Sequence, residues 1–153
     1  MSGLTYERLT GEDDKDIPLL TAIYKEPEVA RYISISDDYF RYVTRNESVY
    51  FYKVYSSESL MGSIHLEKQE SVLFMDVLVF PQYQGIGLGK RIIKDIQNDI
   101  FGLEYDRIKV TIDENNSASL RLFTGAGFVR SSKDGGLISF VYQRTEDKKG
   151  VGQ

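Results

Sequence analysis

The chain has 153 residues, of which 41% are hydrophobic and 27% charged, so it is long enough for one domain with a core and too short for two. Its net charge of −4 argues mildly against a nucleic-acid partner, and no apolar run approaches the roughly 20 residues that would span a membrane. With no cysteine and one histidine it has no disulfide, thiol nucleophile or thiolate metal site, and we do not expect a zinc centre.

The first 45 residues predict a short strand followed by helices. Residues 6–9 form the strand, and Thr10 fits the N-cap of a helix whose apolar stripe begins at Ile17. Pro18 limits where that helix can start, because proline is tolerated only in the first turn. Residues 26–45 predict one or two further short helices.

The middle of the chain predicts strands. Residues 49–55 and 61–66 flank a polar turn and have the pattern of a hairpin. Residues 73–80 are apolar apart from Asp76, as expected of a strand that is buried on both faces. A lone carboxylate in such a strand is unfavourable unless it is paired or functional, so Asp76 is a candidate for a functional role.

Helices and strands alternate in the last part of the chain. A helix begins near residue 88 and stops at Gly102. Its apolar stripe consists of Leu88, Ile92, Ile93, Ile96 and Ile100. Residues 108–112 alternate as a strand, Asn116 or Ser117 caps a further helix, and residues 137–142 form a final strand.

Together these elements predict an α/β fold with a mixed, mostly antiparallel sheet and helices on both faces. No repeat, low-complexity tract or linker divides the chain, so we expect one domain over residues 1–144 and a polar tail over 145–153. The N-terminus lacks the charged and apolar regions of a signal peptide, and we therefore expect a cytoplasmic protein.

Three glycines within five residues lie between strand 73–80 and the following helix. They belong to the segment Gln84-Gly85-Ile86-Gly87-Leu88-Gly89-Lys90. The first N–H groups of a helix lack partners, and the helix dipole adds positive charge at the same end. Glycines also let a phosphate approach the backbone without meeting a Cβ atom. The segment therefore predicts a binding site for a cofactor that carries a pyrophosphate.

Spacing separates the glycine motifs that could apply here. A P-loop requires G-x-x-x-x-G-K-[ST], but Gln84 stands at the first glycine and Arg91 at the Ser/Thr position. A dinucleotide-binding G-x-G-x-x-G fails as well, because its last position is Lys90 in one register and Ile92 in the other. The pattern that fits is Q-x-x-G-x-G.

Gln84, Gly87 and Gly89 supply that pattern, which resembles the acetyl-CoA-binding signature of the GNAT superfamily of N-acetyltransferases. Residues 113–123, closing with Gly127-Phe128, are similar to the family's second conserved block, in which N-x-x-[AS]-x-x-L-[YF] leads a helix that ends in G-F. Two blocks at the expected separation are a specific signal, whereas either one alone is weak. The chain is therefore identified as a member of this superfamily.

Segments 26–33 and 118–122 are further similar to the branch of the family that contains the ribosomal-protein N-terminal acetyltransferases. The resemblance implies an enzyme that uses acetyl-CoA as a cosubstrate and acetylates a primary amine of a small molecule or a protein N-terminus. The absence of cysteine agrees with direct attack by the amine, without a covalent enzyme intermediate. The acceptor stays open, and the sheet edge at the C-terminal strand could pair in a homodimer.

The resemblance also assigns residues to the cofactor. Leu78 and Val79 would offer backbone groups to the pantetheine amides, which extend the strand edge like an added strand. Asn116 would hydrogen-bond the pantetheine arm, in addition to or instead of acting as a plain N-cap. The pyrophosphate would be bound by Gln84, Gly85, Ile86, Gly87, Leu88, Gly89 and Lys90.

The sequence departs from the family at the group that would protonate the leaving thiolate. Phe123 stands where many relatives carry a tyrosine, and a phenyl ring has no proton to give. Ser119, one helical turn earlier, could supply the proton, or it could simply be a small residue that lets the helix approach the cofactor. A thiol with a pKa near 8.5 scarcely needs an acid, so Phe123 is compatible with activity.

The amine must lose a proton before it attacks, and a general base would help. In a regular strand over 61–67, Ser63, His65 and Glu67 share one face, which makes His65 and Glu67 the leading candidates. The alternative is that this face is the solvent side of the hairpin. Positions where relatives often place a catalytic acid are here Leu73, Met75 and Thr111. An acyl-CoA-binding module or sensor without turnover is therefore the alternative function.

Overall fold

The structure, a computed structural model, describes residues 3–145, and these form two compact units. The first unit contains residues 3–66 and 76–84, and the second contains residues 67–75 and 85–145. The strands β1 to β7 are Leu4–Arg8, Val49–Ser56, Ser59–Gln69, Val72–Val79, Arg107–Asp113, Val129–Asp134 and Leu137–Gln143. The helices α1 to α5 are Ile17–Tyr24, Pro27–Ala30, Tyr39–Arg45, Leu88–Gln97 and Ser117–Gly125.

The strands form a sheet in the order β1-β2-β3-β4-β5-β7-β6. β4 and β5 pair in parallel, and the pairs β1–β2, β5–β7 and β6–β7 are antiparallel. The prediction of a mixed, mostly antiparallel sheet is therefore confirmed. None of the helices described within residues 3–145 is long and apolar enough to cross a membrane. The predicted polar tail lies outside the described residues from position 146 onward.

The first unit packs its helices on an apolar cluster that includes Leu20, Val43 and Phe51. Pro18 lies in the first turn of α1, as predicted. The predicted N-cap at Thr10 is wrong, because α1 begins only at Ile17 and Asp16 holds the N-cap position. The loop between β1 and α1 is therefore longer than predicted. It carries Asp14 and Asp16, which bind the buried ammonium of Lys53.

The second unit contains a strand that the sequence analysis did not predict. β6 has six exposed residues without an apolar alternation, and it forms a hairpin with β7 across Gly135 and Gly136. β7 consequently lies between β5 and β6, so the expectation that the C-terminal strand forms the sheet edge is wrong. The apolar stripe of α4 is buried up to Ile96, but the helix ends at Gln97, which leaves Ile100 49% exposed.

Candidate active site

The glycine segment folds into a turn that leaves the start of α4 open. Gly85 and Gly87 have φ angles of 84° and 85°, a left-handed conformation that favours glycine. Gly87 is the N-cap of α4, and no side chain caps the helix at this end. A Cβ atom at either glycine would meet no atom within 4 Å. The first N–H groups of α4 therefore lack a side-chain cap, and an uncapped helix start of this kind can bind an anion.

Two cationic side chains follow in the first turn of α4. Arg91 is paired with Asp95, with 3.3 Å between its Nε and a carboxylate oxygen, so its charge is partly neutralised. Lys90 is exposed. Lys90 is therefore the side chain that can add positive charge beside a phosphate at this helix end.

Gln84, which precedes the glycine turn, is hydrogen-bonded to the end of β4. Its side-chain amide donates to the carbonyl of Val79 over 3.0 Å. The N–H of Phe80 donates to the carbonyl of Met61 on β3, so by alternation the polar groups of Val79 point to the other edge of β4. The carbonyl of Leu78 lies 2.4 Å from where a Cβ on Gly62 would stand, and it faces β3. Of the two residues assigned to pantetheine, Val79 has the backbone groups that face away from β3.

The start of α5 is capped, in contrast to α4. Asn116 accepts the N–H of Ser119 on its Oδ1 over 3.3 Å, as the predicted N-cap does. This arrangement leaves the amide N–H₂ of Asn116 as a donor for a ligand. Ser119 is half-buried, and Phe123, one turn later, is buried with its ring edge-on to Phe128 at 5.1 Å. The ring of Phe123 therefore belongs to the core of the second unit.

The face of β3 that carries Ser63 and His65 is covered by helices, so it is not the solvent side of the hairpin. The hydroxyl of Tyr24 on α1 lies 2.9 Å from Ser63 Oγ, and the hydroxyl of Tyr39 on α3 lies 2.6 Å from His65 Nδ1. The rings of Tyr39 and His65 are also stacked, with centroids 5.7 Å apart. The sequence analysis singled out neither of these tyrosines.

The register of the β3–β4 hairpin places Asp76 opposite His65. β3 ends at Gln69 and β4 begins at Val72, and the bond from Phe80 to Met61 at the far end gives the same antiparallel register. Residues that face each other in such a pair lie on one side of the sheet. Asp76 is exposed, and its charge acts on Tyr24 from this side.

Burial raises the pKa of Tyr24 to about 12, with a further contribution from the negative charge of Asp76 and opposing contributions from hydrogen bonds with Ser63 and Tyr39. Tyr24 is therefore a neutral hydroxyl at physiological pH, able both to donate and to accept a hydrogen bond.

Glu67 belongs to the part of β3 that lies in the second unit. It is half-buried, and its carboxylate accepts the side-chain amide of Gln69 over 3.4 Å. Among residues 3–145 no group of three or more His, Asp or Glu side chains is placed to hold a metal ion.

A cavity of about 330 Å³ lies in the first unit, and Tyr24 forms part of its wall. Phe40 forms part of its wall and packs edge-on against Tyr39, with centroids 5.1 Å apart. Asp37 and Lys25 bring one carboxylate and one ammonium to the cavity. Its remaining wall consists of Thr21, Ala30, Ser34, Ile35 and Ser36. The cavity can accept a small polar or cationic group next to the Tyr39–His65 pair.

A family model described as an acetyltransferase (GNAT) domain matches residues 20–136 of the chain. A search of curated protein sequences found no match.

Several solved structures share the fold. The N-acetyltransferase PseH of Campylobacter jejuni, solved with acetyl coenzyme A, has a TM-score of 0.74 and 15% identity, covering 93% of this chain and 99% of that one. A spermidine N-acetyltransferase of Vibrio cholerae, solved with CoA and spermine, has a TM-score of 0.77 and 13% identity over 92% and 95% of the two chains. An aminoglycoside acetyltransferase, solved with coenzyme A and kanamycin, has a TM-score of 0.77 and 18% identity over 93% and 95%. At these identities the likeness shows the fold alone.

Proposed function

The chain belongs to the acetyltransferase (GNAT) domain family, whose model matches most of its length, and we propose that its glycine turn, its β3–β4 hairpin and Asn116 carry out the family's reaction. It is an acetyl-CoA-dependent N-acetyltransferase that transfers acetyl to a primary amine, with acetyl-CoA as cosubstrate. The observation that carries the assignment of residues is the pair of left-handed glycines ahead of an uncapped helix.

The cofactor is proposed to bind through backbone groups. The N–H groups at Leu88, Gly89 and Lys90 hold the pyrophosphate, and Gln84, Gly85, Ile86 and Gly87 shape the turn that admits it. The outward backbone groups of Val79 are proposed to bind the pantetheine amides. The carbonyl of Leu78 faces β3, so Leu78 is left out of this role. The side-chain amide of Asn116 donates to the same arm. The carbonyl of Val79 already accepts from Gln84, so its N–H is the group that remains for the ligand.

Transfer proceeds by direct attack. The nitrogen lone pair of the amine forms the new C–N bond with the thioester carbonyl carbon, and the C–S bond breaks with its electron pair leaving on the CoA thiolate. Holding both substrates in one orientation removes much of the entropic barrier of a bimolecular reaction. The new amide nitrogen releases one proton to solvent, and the thiolate takes one proton from solvent or from Ser119, which then regains a proton from solvent. Ser119 is half-buried, one turn before the core residue Phe123.

The amine is proposed to enter the 330 Å³ cavity of the first unit and to lose its proton at the β3–β4 face next to it. His65 and Glu67 are the candidates on β3 for this step, and Asp76 is the carboxylate opposite His65. Asp37 in the cavity wall supports a cationic acceptor, because a carboxylate attracts an ammonium group. The polyamine and aminoglycoside bound by two of the similar structures are acceptors of this kind.

Gly87→Glu tests the assignment of the cofactor site. A carboxylate at this helix end would repel the pyrophosphate, and we expect the Kd of acetyl-CoA to rise by at least about tenfold, or ~1.4 kcal/mol. Isothermal titration with acetyl-CoA measures the change, and thiol release with a panel of amines measures turnover on the same sample.

Gly102→Glu is the matched control. Gly102 also has a left-handed backbone, with φ of 64°, and open space around its Cβ position, so both variants carry a similar backbone strain. Equal weakening of acetyl-CoA binding in the two variants would contradict the assignment of the pyrophosphate to the Gly87 turn. Binding of acetyl-CoA by the unaltered protein without thiol release against any amine would favour a sensor, the alternative that Phe123 supports.

We further propose that the enzyme works in the cytoplasm, where acetyl-CoA is supplied, and that it forms a homodimer through the exposed edge strand β6. Every residue of β6 is exposed, and an edge strand offers unpaired backbone groups to a second copy. Analytical ultracentrifugation of the protein tests the dimer, and a monomer at all concentrations would contradict it.

A further inference from the structure

His65 belongs to a chain of hydrogen-bonded side chains that begins inside the core. Ser63 Oγ lies 2.9 Å from the hydroxyl of Tyr24, which is hydrogen-bonded in turn to Tyr39. The hydroxyl of Tyr39 lies 2.6 Å from His65 Nδ1. Ser63 is 1% exposed and Tyr24 is 6% exposed, whereas His65 is half-buried. The inner end of the chain is therefore shielded from water, and the outer end is accessible.

The direction of the hydroxyl protons in this chain is set by its inner end. If His65 donated from Nδ1, Tyr39 would donate to Tyr24 and Tyr24 to Ser63, and the proton of the buried Ser63 hydroxyl would need a further acceptor. Tyr24 is the side-chain partner that the structure gives Ser63. In the opposite direction Ser63 donates to Tyr24, Tyr24 donates to Tyr39, and Tyr39 donates to His65 Nδ1. Every hydroxyl proton of the chain then has an acceptor. A buried hydroxyl donor without an acceptor is unfavourable, so the second direction is preferred.

We infer that Tyr39 is a positioning residue that donates to His65 Nδ1 and holds the neutral ring in the tautomer with its proton on Nε2. The ring then presents an N–H group, and not a lone pair, at its outer nitrogen. His65 is therefore a hydrogen-bond donor at its outer nitrogen, and the proton of the acceptor ammonium goes to the carboxylate of Asp76, which the hairpin register places opposite His65.

This inference rests on the proposed amine acetylation. The N–H bond of the acceptor ammonium breaks, the proton passes to a carboxylate oxygen of Asp76, and the electron pair stays on nitrogen for attack on the thioester. The titratable groups that face His65 are Tyr39 from α3, Tyr24 from α1 through Tyr39, and Asp76 from β4. Glu67 follows His65 by two residues on the same strand.

The tautomer can be measured directly, because His65 is the only histidine in the sequence. Long-range ¹H–¹⁵N correlation spectra of the full chain, recorded with the ring in its neutral form, report whether each ring nitrogen carries a proton. We expect Nε2 protonated and Nδ1 unprotonated. Tyr39→Phe keeps the ring contacts of Tyr39 and removes its hydroxyl, and in this variant we expect the two nitrogens to shift toward a mixture of tautomers.

Tyr42→Phe is the control, since it removes the same hydroxyl group from another tyrosine of α3. Tyr42 is 43% exposed. Its spectrum should match that of the unaltered protein. A proton on Nδ1 in the unaltered protein, or an unchanged spectrum in Tyr39→Phe, would overturn the inference. Neither measurement needs acetyl-CoA or an amine, so both stand even if the proposed reaction is not found.

Kinetics test the division of roles. Asp76→Asn should lower kcat by about 100-fold or more, with a smaller change in KM. In the pH profile, the pH at which the rate rises should shift toward the pKa of the free amine. His65→Gln keeps an N–H donor and should lower kcat by about tenfold or less. A large loss in His65→Gln with near-normal rates in Asp76→Asn would overturn the assignment by making the histidine the base. Absence of turnover in the unaltered protein would instead overturn the proposed function.

Discussion

The first unit contains two buried polar clusters that differ in charge. In the lysine cluster, Lys53 is 1% exposed, and its Nζ lies 2.8 Å from Asp14 and 2.9 Å from Asp16. Glu7 lies 3.5 Å from the same ammonium, and the hydroxyl of Tyr55 donates to Asp16. The hydroxyl cluster, made of Ser63, Tyr24, Tyr39 and His65, contains no formal charge when the imidazole is neutral.

The two clusters also differ in where they end. Every donor direction of the Lys53 ammonium can be used by a carboxylate, so the cluster is closed and ties the loop after β1 to β2. The hydroxyl cluster leads to the half-buried imidazole of His65. A closed ionic cluster stabilises the fold, whereas a neutral chain that opens at one titratable group is suited to catalysis.

The pKa shifts follow this division. Burial acts to lower the pKa of Lys53, but hydrogen bonds with Asp14 and Asp16 outweigh it and raise the pKa above its ordinary value. Burial acts to raise the pKa of Asp16, but the hydrogen bonds from Tyr55 and Lys53 outweigh it and lower the pKa. Both groups are thus held in their charged forms by the folded state.

Lys53→Met should have the largest effect on stability. It leaves the carboxylates of Asp14 and Asp16 without their cation, and breaking a buried ion pair in this way costs about 3–5 kcal/mol. Thermal unfolding should show a Tm lower by roughly 10 °C for a chain of this size. The kcat of the folded fraction should be unchanged, because this cluster is distinct from the hydroxyl cluster.

Lys133→Met is the control for that loss. Lys133 pairs with Glu114 over 2.7 Å, but both side chains are 42% exposed. An exposed pair contributes under about 1 kcal/mol, so its Tm should hardly change. Similar losses in the two variants would show that burial does not distinguish the two ion pairs.

Tyr24→Phe should have an intermediate effect on stability and a clear effect on activity. It removes the hydroxyl that joins Ser63 to Tyr39 and leaves a buried serine hydroxyl without its partner, at about 1–3 kcal/mol. Ser63→Ala and the double variant complete a thermodynamic cycle in urea unfolding. We expect a coupling energy of about 1 kcal/mol, since the double variant removes both partners together. Strictly additive losses would show that the two hydroxyls do not stabilise each other.

The parts of the site that the sequence predicted rest on local signals. The glycines at 85 and 87 are needed for a left-handed turn, and Asn116 caps the helix that directly follows it. Such features depend on neighbours within a few residues, so a pattern in the sequence reports them. The same reasoning gave the bounds of β4 and β5 to within one or two residues.

The hydroxyl cluster could not be predicted, because its members are distant in sequence. Tyr24 and Ser63 are 39 residues apart, and Tyr39 and His65 are 26 apart. The apolar stripe of α1 includes Tyr24 four residues after Leu20, but nothing local shows which strand receives its hydroxyl. The face-sharing of Ser63 and His65 was predicted from strand periodicity, and only the position of α1 and α3 decided that helices cover it.

β6 was missed for a different reason. Its sequence VRSSKD has neither alternation nor β-branched residues beyond the first, and its strand conformation comes from pairing with β7. Edge strands of this kind are specified by their partner and by the turn between them, so their own residues give a weak signal.

Asp16→Asn should have a smaller effect than Lys53→Met, because Asp14 still pairs with the ammonium, and its signature is a changed pH dependence of stability. The pKa of Asp16 is lowered in the folded state, so its contribution is present above its unfolded value of about 3.9 and is lost as pH falls through the folded value. The unaltered protein should therefore lose stability more steeply below pH 4 than Asp16→Asn does, as urea midpoints across pH would measure. Asp13→Asn, which removes an exposed carboxylate from the same loop, should keep the steep acid loss. If Asp13→Asn reduced the loss of stability below pH 4 as much as Asp16→Asn does, that loss would reflect the overall charge of the protein. The lysine cluster would then not be its source.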